Sequence, residues 1–240
     1  MTRIAMWCAP RTISTALMRA WENRTDTVVI DEPFYAHYLQ STGIDHPGRD
    51  EIIASYETDW RVVACGLTED PLPDGVAICY QKQMAHHMLD HIDLDWACKL
   101  TNCFLLRAPA EVITSYIKVR PEPTLQDLGF PQLMRLFEAV RTRTGTVPPV
   151  IDSQDVLRDP REMLSRLCRA VSVPFSERML SWPSGRRESD GVWAPYWYGA
   201  VEKSTGFAPY RPKEEPVPLY LQGLLDEAQE FYRELHRFRL

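Results

Sequence analysis

The run Cys8-Ala9-Pro10-Arg11-Thr12-Ile13-Ser14-Thr15 begins at the end of the apolar stretch Ile4 to Cys8 and precedes an amphipathic segment. It reads as a strand end, a tight turn and a helix start, an arrangement that binds oxyanions. The first amides of a helix have no internal partner, and the helix dipole adds partial positive charge there. Arg11 contributes a planar, permanently charged fork suited to phosphate or sulfate. Thr12 and Ile13 lie inside the same turn. Ser14 and Thr15 either cap the helix or offer their hydroxyls to the anion. A second cation, Arg107, closes the apolar run Asn102-Cys103-Phe104-Leu105-Leu106, and Ser115 follows eight residues later. A surface arginine and a helix serine are each commonplace. Their joint occurrence with the first turn, in this order, points to one anion pocket. Groups able to handle a proton also stand just beyond apolar runs: Glu32 after Thr27-Val28-Val29-Ile30-Asp31, then Lys82 and the pair His86-His87 after Val76-Ala77-Ile78-Cys79-Tyr80-Gln81.

Those groups need elements to hold them. Strands are expected at residues 4–8, 27–31, 76–81, 102–106 and 150–152. Helices are expected at 14–23, 84–93, 110–118, 131–144 and 161–171, with a C-terminal helix striped by Leu221, Leu224, Leu225, Ala228, Phe231, Tyr232 and Leu235. Residues between the second and third strands show no regular pattern. Strands alternating with helices give an α/β fold, a mainly parallel sheet covered on both faces, here as one domain over residues 1–240. Such sheets bind ligands at the carboxyl ends of their strands, where Arg11, Glu32, Lys82 and Arg107 stand. The second strand is expected to neighbour the first.

The bulk composition narrows the partners. The 240 residues carry a formal net charge of -6, with 45% hydrophobic and 25% charged residues. That balance is ordinary for a globular domain and gives no general grip on nucleic acid. No apolar stretch is long enough for a membrane span, and the first residues lack a signal-peptide pattern, which implies a cytoplasmic protein. The six cysteines show neither CxxC nor zinc spacing, so free thiols and no metal are expected. His86 and His87 with His91 lack a fourth convergent ligand for zinc.

The turn departs from the nucleotide-triphosphatase P-loop, G-x-x-x-x-G-K-[ST]. Cys8, Ile13 and Ser14 occupy the positions of the two glycines and the lysine, and only Thr15 fits. The run from Ala9 to Thr15 instead resembles the P-R-[ST]-x-[ST]-T loop of the sulfotransferase family. Phe104 to Tyr116 resembles that family's second motif, strand-R-x-P-x(5)-S-Y. The resemblance implies a P-loop-like sulfotransferase fold and 3′-phosphoadenosine 5′-phosphosulfate as donor. Arg11 and its loop would hold the 5′-phosphosulfate, and Arg107 with Ser115 the 3′-phosphate. It also implies a small-molecule hydroxyl acceptor and no metal.

Two looser likenesses accompany these. Residues 150–160 resemble the family's acidic E-D-L-x-x-D-P stretch, usually structural. Residues 202–207 fall where the family has a flexible basic loop over the nucleotide, which makes Lys203 a candidate phosphate contact. Some members carry a glutamate base at the place of Glu32, the first candidate here. Cytosolic members have K-x-H after the third strand. This chain has Lys82 there but Met84 in place of the histidine, so His86 is the second candidate base and Lys82 a stabiliser of the leaving oxygen. An acid beside a helix start and a histidine on a helix also have purely structural readings. The aromatics Trp193, Tyr196, Trp197 and Tyr198 form either a lid over the acceptor or a satellite core, and Tyr35, His37 and Tyr38 could line the same pocket. Two other classes stand beside the transferase: a P-loop nucleotide kinase or hydrolase, and a non-catalytic nucleotide-binding protein of the same fold. Magnesium-dependent ATP binding distinguishes the first of these, and nucleotide binding without turnover the second.

Overall fold

Five parallel strands form the centre: β1 (Thr2–Cys8), β2 (Thr27–Asp31), β3 (Ile78–Met84), β4 (Thr101–Leu106) and β5 (Val150–Asp152), in the order β2-β3-β1-β4-β5. This is a computed structural model, and it describes residues 1–213 and 215–240. Helices α1 (Ser14–Glu22), α2 (Tyr35–Thr42), α3 (Arg49–Ser55) and α4 (Trp60–Glu69) occupy the first crossovers. Helices α5 (Pro109–Tyr116), α6 (Leu125–Leu128) and α7 (Phe130–Thr144) link β4 to β5. Helices α8 (Ser153–Arg158), α9 (Pro160–Ala170), α10 (Ala194–Trp197) and α11 (Gln222–His236) complete the chain.

Alternation along β1 decides which core each side chain enters. Ile4, Met6 and Cys8 face a layer shared with Leu17 and Trp21 of α1 and Leu164 and Leu167 of α9. Ala5 and Trp7 face the other layer, with Leu133, Leu136 and Phe137 of α7. Both faces are covered, which is why the strand reads as a continuous apolar run. The indole Nε1 of the buried Trp7 donates to Asn102 Oδ1 at 2.7 Å, and the Asn102 amide donates to two carbonyls, so this polar pair is satisfied. The acidic stretch after β5 serves structure: Asp152 caps α8 and Asp159 caps α9, whose first residue is Pro160.

Three expectations need correction. β2 does not adjoin β1; β3 lies between them. The first crossover skips one strand position, and the later β3 fills it. This puts Asp31 directly opposite Lys82 in the β2–β3 register. Residues 84–93 form no α-helix: β3 runs on through Met84, and a single 3₁₀ turn spans Ala85–His87. Residues 78–88 are buried without a break, so no solvent face exists to give a helix its period. The irregular middle section contains α2, α3 and α4, helices of seven to ten residues.

Candidate active site

The chain turns one way after β1, toward β2, and the other way after β4, toward β5. A parallel sheet opens a crevice where such directions diverge. Arg11 leaves β1 and Arg107 leaves β4 on its two sides. They meet there: Arg107 Nη1 donates to the Arg11 carbonyl at 2.6 Å, and Arg11 Nε donates to Ser115 Oγ of α5 at 3.0 Å. Both arginines, Ser115 and every residue from Pro10 to Ala16 line one cavity of about 950 Å³.

This corner is built for an anion. Ile13, the residue before α1, offers no side-chain cap, so the first amides of the helix have no protein acceptor. The Thr12 hydroxyl closes the turn on the Ala9 carbonyl at 3.1 Å, and the apolar Ile13 side chain packs on the core. Arg11 holds φ +60°, left-handed backbone that a non-glycine residue adopts at a cost of about 1–3 kcal/mol. Burial, and then the like charge of Arg107, disfavours the charged form of its guanidinium. The Arg107 Nε–Glu111 Oε2 pair at 2.9 Å supplies the nearby counter-charge.

A cluster around Lys82 lines the same cavity. Lys82 Nζ lies 2.9 Å from Asp31 Oδ1, 2.6 Å from Glu32 Oε1 and 2.5 Å from the Tyr198 hydroxyl. Side-chain exposure is 1% for Lys82 and 2% for Asp31 but 12% for Glu32. Glu32 is therefore the carboxylate that reaches the cavity. It too has positive φ, +41°, set where its amide donates to the Lys82 carbonyl. Burial opposes the charge on Lys82, but Asp31 and Glu32 outweigh it and hold the ammonium well above its ordinary range. One ammonium cannot neutralise two carboxylates. Burial pushes Glu32 up, Lys82 pulls it back, and Asp31 pushes it up again, leaving it raised.

His86 lines the same cavity, yet burial and then His46 push it down to about 3. An imidazole so weakly basic is a poor proton acceptor near neutral pH. His87, stacked between Tyr35 and Tyr38 at centroid distances of 4.8 Å, is depressed further by burial and His86. Unfolding returns both rings to about pKa 6.5. Because their folded values are lowered, the stability they confer is full above pH 6.5 and drains away as the pH falls toward 3. The melting temperature is expected to fall across that window, and His86→Phe to flatten the slope. An unchanged slope in that variant would locate the acid sensitivity elsewhere.

Other candidates divide. Lys203 is exposed and does not line the cavity; Ser204, Gly206 and Phe207 beside it do. The aromatic stretch splits in two. Trp193 is buried in a satellite core, Tyr196 and Trp197 line the cavity, and Tyr198 does both. Tyr35 lines it as well, but His37 hydrogen-bonds His91 at 3.0 Å and Tyr38 packs against the histidine turn, away from the opening. Asp31 and Glu111 were not singled out from sequence, and Tyr198 was named only as part of the aromatic stretch. For Asp31 a signal existed, since a charged residue ends an otherwise apolar strand.

The family profile described as the sulfotransferase domain matches residues 2–238. The chain belongs to the sulfotransferase family. Two curated relatives from Arabidopsis thaliana, branched-chain-amino-acid aminotransferase-like proteins 1 and 2, are 34% and 33% identical over 229 residues, 95% of this chain. The chain spans 40% of the length of each. Among solved structures, the sulfotransferase domain of the Synechococcus PCC 7002 olefin synthase aligns with a TM-score of 0.56 at 17% identity, covering 94% of both chains. The sulfotransferase domain of the curacin biosynthetic pathway gives 0.54 at 14% identity, covering 98% of this chain and 97% of that one. A sulfotransferase from Alicyclobacillus acidocaldarius gives 0.56 at 13%, covering 100% and 97%. These structural likenesses show that the sulfotransferase fold is shared. Among the described residues no helix is long and apolar enough to cross a membrane.

Proposed function

We propose that this sulfotransferase-family chain moves a sulfuryl group from 3′-phosphoadenosine 5′-phosphosulfate to a hydroxyl of a small-molecule acceptor. The observation that carries the reading is the meeting of Arg11, Arg107 and Ser115 in a cavity that Glu32 and Lys82 also line. Arg11 and the first amides of α1 would hold the 5′-phosphosulfate, and Arg107 with Ser115 the 3′-phosphate. The donor lies across the crevice, and the acceptor enters past Tyr35, Tyr196 and Trp197. The acceptor oxygen bonds to sulfur as the bond from sulfur to the 5′-phosphate oxygen breaks. Glu32 takes the acceptor's proton, Lys82 offsets charge on the departing oxygen, and 3′,5′-bisphosphoadenosine leaves. With Arg11, Arg107 and Lys82 supplying the positive charge, the reading assigns no step to a metal. Six unpaired cysteines support a reducing, cytoplasmic setting.

Calorimetry with 3′,5′-bisphosphoadenosine, with magnesium-ATP as the comparison, tests the donor. The bisphosphate is expected to bind without metal, and Arg107→Ala to lose about 100-fold or more in affinity, as removal of a charged phosphate contact does. Binding of magnesium-ATP alone would overturn the donor assignment and favour a nucleotide kinase or hydrolase.

A further inference from the structure

The Lys82 network contains two carboxylates, and only one faces the cavity. A proton released by an acceptor could settle on either, because both lie within 3 Å of the same ammonium. Asp31 is the better satisfied. Its Oδ1 takes the Lys82 ammonium, and its Oδ2 accepts the Tyr198 hydroxyl at 2.6 Å. The Gly191 amide, at 3.4 Å, is a weaker second donor to that oxygen. The Tyr198 hydroxyl is itself fixed: it accepts from Lys82 Nζ at 2.5 Å and from Trp193 Nε1 at 3.1 Å, so its own hydrogen points to Asp31. Among the described residues the short donor to Glu32 is Lys82, and the Tyr198 phenol adds only the weakest of the interactions that favour its charge.

We propose that Tyr198 is a positioning residue that decides which carboxylate receives the acceptor's proton, by keeping Asp31 ionised and leaving Glu32 as the acceptor. The proposal rests on the reading of Glu32 as the base. A hydrogen bond to the charged form of an acid favours that form. Held by Lys82 and Tyr198, Asp31 stays an anion, and the proton goes to the carboxylate at the cavity. Without the phenol, Asp31 Oδ2 keeps only the long contact to Gly191. Asp31 then competes for the proton at a place no substrate touches. The surrounding titratable groups do not interfere. Cys8 on β1, Tyr35 on α2 and Tyr56 after α3 are all raised by burial, and His87 after β3 is lowered by burial, so all four are neutral near pH 7. Lys82 is the lone cation among the groups facing the pair.

Tyr198 also links this chemistry to the segment over the opening. It directly follows Tyr196 and Trp197, which line the cavity. Its hydroxyl is thus the point at which that segment touches the catalytic pair.

The test is an NMR pH titration of protein labelled with ¹³C in the Asp and Glu carboxyl carbons, with Asp31→Asn and Glu32→Gln assigning the two signals. In Tyr198→Phe the Asp31 midpoint is expected to rise by about one unit or more, the worth of a hydrogen bond to a charged group. The two carboxylates then titrate as an overlapping pair. Trp197→Phe, which disturbs the same segment but spares the phenol and both of its donors, is expected to leave both midpoints in place. An unmoved Asp31 midpoint in folded Tyr198→Phe, or an equal shift in Trp197→Phe, overturns the proposal. Should Tyr198→Phe not fold, Tyr198→3-fluorotyrosine, a stronger donor, is expected to lower the Asp31 midpoint, and no change there counts against the idea. Calorimetry with 3′,5′-bisphosphoadenosine on the same samples separates the two claims. Loss of bisphosphate binding in wild-type protein would sink the functional reading while the carboxylate order is still read directly.

Discussion

Glu32→Gln lowers turnover toward an unactivated alcohol by about 10²–10⁴-fold, the span that loss of a general base covers. Bisphosphate affinity is expected to stay within about twofold, because Glu32 pairs with Lys82 and not with Arg11 or Arg107. The size of the loss depends on the acceptor. An aliphatic hydroxyl holds its proton tightly and needs the base throughout the reaction. A phenol as acidic as 4-nitrophenol is largely ionised near neutral pH and needs little help, so its rate suffers far less. His86→Phe is expected to leave both acceptors near wild-type rates, since His86 sits at about 3 and takes up few protons. Steady-state kinetics with the two acceptor types checks this. Equal losses for both, or a larger loss in His86→Phe, would remove Glu32 from the role. The rate should also climb with pH as Glu32 gives up its proton, along a limb above the usual carboxylate range because burial raises that group.

Lys82→Met destabilises the fold by about 3–5 kcal/mol, the usual cost of leaving one side of a buried ion pair without its partner. In a domain of this size that corresponds to a fall in melting temperature of roughly 6–20 °C. Asp31 and Glu32 would face each other across buried space with only the Tyr198 phenol and the distant Gly191 amide as donors. The loss shrinks in acid, because the stranded carboxylates take up protons and the charge disappears. Replacing the whole network with neutral groups, as Lys82→Met, Asp31→Asn and Glu32→Gln together, is expected to recover most of the stability without restoring activity. Thermal melts from pH 5 to 8 distinguish the cases. A pH-independent loss in the single variant would mean that Lys82 matters through its packing.

Much of this was legible because the local signals are strong. β2 and β5 begin and end where the apolar, β-branched runs do. Arg11 and Arg107 could be paired in advance because each stands within three residues of the end of a buried strand, and strand ends share one edge of a parallel sheet. Other features are not local. The place of β2 beside β3 depends on which crossover skips a position, and no residue in either strand states it. The expected helix over residues 84–93 is a second such feature. In the fold those residues are enclosed from several sides: Cys8 Sγ lies 3.5 Å from Met84 Sδ, and Gly129 brings α7 so close that a Cβ there would meet the His86 amide nitrogen at 3.4 Å. Lys203 was chosen for its charge near a glycine, but the loop turns Ser204 and Gly206 to the cavity instead. The partnership of Tyr198 with Asp31 spans 167 residues and is invisible until the chain is folded.

The backbone at Arg11 carries a consequence for engineering. Its φ of +60° is a conformation that glycine adopts freely and arginine does not. Glycine at this position would relax the turn, yet the guanidinium at the cavity would be gone. Selection for robustness and selection for the proposed work therefore disagree at this residue. A variant screen scored on heat resistance alone would drift toward a sturdier protein without the cation proposed to hold the donor.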